Sequence, residues 1–179
     1  MKLFTKTSLV TSLCLFVLLA ANSVKANELD SKIYQDDWKS PEAIIHAMYE
    51  TISAVPGQQR NWPRFRALFF ENAQILMAME SQQFSGIIAA DIEGLIAQTD
   101  SAYGKTGFHE MEIAQKVTKH GSMANVHSSF EVKLKTTDEK PLMKGLNHFQ
   151  LLFDGDRWWI ISNTSILDSN SYEASKALD

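Results

Sequence analysis

The chain has a single cysteine in 179 residues, Cys14, and it falls inside an N-terminal apolar run. That run, Leu9 to Ala21, follows Lys2 and Lys6 and precedes Val24-Lys25-Ala26. A positive leader, a short apolar stretch and small residues before a cut make the pattern of a secretory signal peptide, and the stretch is too short to span a bilayer comfortably. Cleavage before Asn27 removes Cys14, which excludes disulfides and thiolate catalysis from the mature chain. Positive charge is scarce as well. Residues 1–26 hold three lysines and no acid, so their loss moves the formal charge from −4 to −7. Such a chain has no electrostatic footprint for nucleic acid or an anionic membrane. Also missing are a helical His-x-x-x-His pair, a carboxylate loop with calcium spacing, a glycine-rich phosphate cradle and a Gly-x-Ser-x-Gly elbow. No metal and no cofactor are expected on that basis.

What remains is one domain of ordinary size, long enough to bury a core. Residues 27–40 read as a polar N-terminal arm, 41–169 as the domain and 170–179 as a weak tail. Ser40-Pro41-Glu42-Ala43 is a helix start: a capping serine, proline at the first helical position and an acid in the first turn. Ile44, Ile45, Met48, Tyr49 and Ile52 follow at helical spacing. Pro56-Gly57 stops this helix. Asn61-Trp62-Pro63 starts a second, with Phe65, Leu68 and Phe69 on its apolar face. Ala73 to Met79 reads as a short strand and Ile87 to Tyr103 as a third helix. From Phe108 the period becomes two, with strands near 108–119, 123–135, 142–153 and 157–167. The last two flank an Asp154-Gly155-Asp156 turn and are apolar at odd and even positions alike, so both faces of the sheet should be covered there. Trp158 and Trp159 must point to opposite faces. Helices first and a meander after predict an α+β fold whose curved sheet wraps the helices and leaves a cavity.

This order resembles the nuclear transport factor 2-like superfamily, a cone-shaped, cystatin-like α+β fold that includes ketosteroid isomerase and SnoaL-like cyclases. The resemblance rests on Met48-Tyr49-Glu50-Thr51-Ile52-Ser53, on Arg60-Asn61-Trp62-Pro63-Arg64-Phe65-Arg66-Ala67-Leu68-Phe69, on Gly107-Phe108-His109-Glu110, and on Phe149-Gln150-Leu151 through Arg157-Trp158-Trp159. It is similar to secreted bacterial members of uncharacterised function. The resemblance implies Tyr49 as an oxyanion donor and places Asn147 where the isomerases have a second, acidic donor. It places Met77 where they have the catalytic aspartate, and a thioether cannot abstract a proton. It also implies a homodimer through the outer face of the sheet.

Of the five histidines, His109 is the candidate acid or base. His109, Met111, Ile113 and Val117 share one face by period two, and the apolar set is expected to carry His109 inward. Glu110 falls on the other face and reads as a solvated or interface carboxylate. The expected ligand site comprises Tyr49, Trp62, Phe69, Met77, Met79, His109, Asn147 and Trp159. The resulting expectation is an exported, periplasmic or secreted protein that binds a small hydrophobic molecule without catalysis. The alternatives are a SnoaL-like lyase, isomerase or hydrolase using Tyr49, Asn147 and His109, and a dimeric protein-interaction module.

Overall fold

The computed structural model describes residues 34–80 and 84–179. The expected signal peptide, with Cys14, lies outside the described residues. So does the first half of the expected arm. Helix α1 spans Pro41–Ile52, α2 Trp62–Arg66 and α3 Ile92–Tyr103. Six strands follow the order β1 Phe69–Glu80, β2 Ser85–Ala90, β3 His109–His120, β4 Met123–Lys133, β5 Met143–Phe153 and β6 Trp158–Leu167. They form one sheet in the spatial order β2-β1-β6-β5-β4-β3. All neighbours are antiparallel except β1 and β6, which run parallel.

The helix starts follow local chemistry. The Ser40 hydroxyl accepts the Ala43 N–H at 3.1 Å, and Pro41 opens α1. The Asn61 side chain accepts the Arg64 N–H, and Asp91 accepts the Gly94 N–H at 2.7 Å. Ile44, Ile45, Phe65, Leu68, Phe149, Leu151 and Ile160 are fully buried between the helices and the inner sheet face.

Several expectations need correction. The second helix ends at Arg66, and Phe69 is the first residue of β1, not part of a helical face. The stretch from Ile87 is not helical at its start: Ser85–Ala90 pairs with β1, and only after Asp91 does the helix begin. The arm is packed from Tyr34 onward. Trp38 is buried and stacks on the Arg157 guanidinium at 3.6 Å. The tail ends in a 3-10 turn, Ala174–Lys176, which packs on β4, β5 and β6. There Ser175 is buried and donates to Asp168 at 2.6 Å.

The two tryptophans do point to opposite faces. Trp158 is buried in the helix-covered core, whereas Trp159 stands on the outer face. Trp159 donates its indole N–H to Asp154 at 2.7 Å and meets Phe70 edge-on. Arg157 lies 3.6 Å from both the Trp38 and Trp159 rings.

Strand β3 contains an irregularity that decides the site. Glu112 pairs with Phe130, but Ala114 pairs with Ser129, so Ile113 is an extra residue. Before the bulge, Glu110 and Glu112 share the inner face with their buried β4 partners Val132 and Phe130. After it, the phase reverses: Val117 pairs with buried Val126, and Lys119 reaches the Trp158 ring at 5.0 Å.

Candidate functional site

The inner face of the sheet and helices α1 and α3 enclose a cavity of about 330 Å³. Its walls are largely apolar: Phe69, Ile75, Met77 and Met79 from β1, Ile88 from β2, Leu95 and Tyr103 from α3, and Phe130, Val132 and Phe149 from β4 and β5. The sheet supplies a polar end made of Glu110, Asn147, Asn163 and Ser165. Register explains the grouping. Asn147 lies opposite Ser165 across β5 and β6 and opposite Ser128 on β4, and Asn163 lies opposite Phe149.

These side chains form one connected network. The Asn147 amide donates to the Tyr49 hydroxyl at 3.1 Å and to Glu110 Oε1 at 3.2 Å. The amide orientation is assigned from this network. The Tyr49 hydroxyl lies 2.7 Å from Ser128 Oγ, and Ser128 donates to Glu112 at 2.5 Å. Because both ends of that chain have a fixed sense, the Tyr49 proton is committed to Ser128. On the other side, Ser165 donates to Asn147 Oδ1 at 2.5 Å, and the Asn163 amide donates to Asn147 Oδ1 and Ser165 Oγ at 3.3 and 3.2 Å. Asn163 Oδ1 is buried and has no hydrogen-bond partner among the described residues.

Burial pushes the Glu110 carboxyl up to about 7, against the opposing pull of the Asn147 amide. It has no cationic partner among the described residues. Burial, with the Glu110 charge behind it, raises the Tyr49 phenol far above its ordinary value, so the phenol stays protonated.

The expected site residues divide. Phe69, Met77, Met79 and Asn147 line the cavity. Tyr49 lies behind the lining and is hydrogen-bonded to it through Asn147. His109 is not in the cavity. It sits beside Tyr49 and Met111 in a surface groove between α1 and β3 that Glu110 and Glu112 also border, on the opposite face of its strand from Glu110. Trp62 is also absent from the lining; its indole donates to Asp100 at 2.9 Å. Trp159 faces outward, as above. The carboxylate read as solvated, Glu110, is the one at the site. Phe108 carried the signal: it is buried, and period two places Glu110 on its face. His127 and His148 meet on the outer face as a parallel stack at 4.4 Å. Burial and the neighbouring His127 lower the His148 pKa. Among the described residues, no group of three or more His, Cys, Asp or Glu side chains could hold a metal ion.

No protein-family model and no curated protein matches the sequence. Solved structures do match. A protein of unknown function with a cystatin-like fold from Nostoc punctiforme aligns over 72% of this chain and 89% of its own, with a TM-score of 0.55 and 11% identity. A nuclear transport factor 2-like protein of unknown function from Silicibacter pomeroyi gives 0.51 and 16% identity over 78% of this chain and 98% of its own. A candidate scytalone dehydratase from Novosphingobium aromaticivorans gives 0.53 and 12% identity over 79% and 89%. The six-stranded sheet, the helices on its inner face and these alignments agree: the chain has the nuclear transport factor 2-like, cystatin-like α+β fold.

Proposed function

We propose that the protein is exported to the periplasm or the cell exterior, and that it binds a small, mainly apolar molecule in the sheet–helix cavity. The observation that carries this reading is the cavity itself. At about 330 Å³ it falls at the small end of the range typical of ligand sites, about 300–1,000 Å³. It is walled by adaptable methionine, isoleucine and aromatic side chains, with the polar side chains of the sheet gathered at one end. The experiment is native mass spectrometry of the protein purified from its own host, followed by extraction of anything retained. A bound molecule is expected in the wild type and not in Ile88→Trp, which fills the cavity from β2. Retention by both proteins, or by neither even after exposure to a hydrophobic probe, would sink the reading.

One observation favours a second reading, acid–base catalysis. A carboxyl held at about 7 in a largely apolar cavity can exchange a proton with a bound substrate near neutral pH. In that case the extracted molecule is turned over, with a rate inflecting near the Glu110 pKa and abolished in Glu110→Gln. The committed donors count against oxyanion chemistry of the isomerase kind, because neither Tyr49 nor Asn147 has a proton left to offer.

A further inference from the structure

The hydrogen-bond senses at the polar end of the cavity specify more than polarity. Both amide hydrogens of Asn147 are used, on Tyr49 and Glu110. Both of Asn163 are used, on Asn147 and Ser165. The Ser165 proton goes to Asn147, the Ser128 proton to Glu112 and the Tyr49 proton to Ser128. The two remaining polar side chains of the lining, Gln98 and Tyr103, belong to α3; the Thr99 hydroxyl is spent on Leu95. Above the Glu110 pKa of about 7, the sheet end is therefore left, among the described residues, with acceptors alone. These are the Glu110 carboxylate, which accepts one bond from Asn147, and Asn163 Oδ1, which is buried and accepts none.

Resting on the proposed binding function, we infer that the ligand presents a hydrogen-bond donor, and specifically a protonated amine on an apolar body. Two arguments lead there. An unpartnered buried acceptor is costly and is relieved by a donor, not by a carbonyl or carboxylate. A buried carboxylate without a cation is costly too, and an ammonium relieves it by pairing charge with charge. A carboxylate ligand would instead face Glu110 and the Asn163 oxygen with no donor to receive it. An alcohol satisfies the first argument and not the second. No lysine or arginine lines the cavity or the surface groove that Glu110 also borders. Tyr49 approaches from α1 and Tyr103 from α3; the groove adds His46 and Glu50 of α1, which face each other at 3.4 Å, and His109 and Glu112 of β3.

The test uses one hydrocarbon skeleton with four headgroups: naphthylmethylamine, naphthylmethanol, methylnaphthalene and naphthoate. Each is titrated into the protein by calorimetry at about pH 8, above the Glu110 pKa and where the amine remains protonated. The amine is expected to bind about ten- to a hundredfold tighter than methylnaphthalene, as a charge-assisted hydrogen bond allows. Naphthylmethanol should fall between them, and naphthoate should bind weakest. In Glu110→Gln, with folding confirmed by its melting curve, the advantage of amine over alcohol should disappear. If methylnaphthalene or naphthoate binds as tightly as the amine, the donor inference is overturned while the cavity reading stands. If none of the four binds, the cavity reading itself fails. The wild-type series decides the matter even if the variant does not fold.

Discussion

Glu110 holds its place at a cost to the fold. Its carboxyl is raised from 4.5 to about 7 by burial, so the folded state keeps a proton that the unfolded chain gives up between those values. The stability that goes with the bound proton is complete below the unfolded pKa and is lost as pH rises through about 7. Glu110→Gln removes the ionisation and should therefore be more stable than wild type above neutrality, by on the order of 2–3 kcal/mol. The gain should shrink to nothing by about pH 4, below the unfolded carboxyl pKa. Chemical denaturation of both proteins across this range measures it. A constant difference at every pH would contradict the burial of this carboxylate. Tyr49 and Asn147 were legible as paired polar groups because they stand at positions the resemblance marks. Their roles were not legible, since the sense of each hydrogen bond depends on Ser128, Glu112 and Ser165, three residues with no sequence signature.

Elements were read well where one period ran unbroken. Strands β4, β5 and β6 lie where alternation and turn residues put them, because Gly121 and Gly155 adopt the positive φ that their turns need. Failures occurred where a period broke or ran on. Ile113 bulges out of β3 and reverses the faces of everything after it, so a count from the C-terminal half of the strand placed His109 inside and Glu110 outside. Ile87 to Ala90 flows into α3 with only Asp91 between, and small apolar residues suit either structure. Phe65, Leu68 and Phe69 share helical spacing, yet the backbone changes to strand between the last two. Gly145 on β5 shows how tightly the elements fit. A Cβ there would meet the Ile166 carbonyl oxygen and stand 2.9 Å from the Phe130 ring. Gly145→Ala must separate β5 from β6 or push Phe130 into the cavity, and should cost about 1–3 kcal/mol, as overpacking does. An unchanged urea midpoint would show that the sheet yields there freely.

At the scale of the molecule, the outer sheet face bears a row of apolar side chains at one end of the strands. Phe70, Leu152 and Met123 are each about half exposed, at 50%, 47% and 46%, and Trp159 lies among them. The 3-10 turn of the tail packs on β4, β5 and β6, and this row stays open. We propose that a second copy of the chain covers it. Sedimentation should then report a dimer for the wild type and a monomer for Leu152→Lys, whose side chain lies outside the core. A monomeric wild type would dismiss the proposal. The fold class was legible at this scale because helices followed by a meander admit few arrangements, and the amphipathic faces then have one way to meet.

The parallel pairing of β1 with β6 has a consequence in time. Strand β6 lies between β1 and β5, so residues 158–167 are the seam that joins the β2-β1 hairpin to the three strands β5, β4 and β3. The hairpin near the start of the domain waits for almost the last segment of the chain before it gains its second neighbour. Pairings so distant in sequence close slowly. The sheet thus stays in two pieces until the C-terminus is available, and every cavity wall contributed by β1 remains open to water until then. This delays completion of the cavity until nearly the whole polypeptide has emerged.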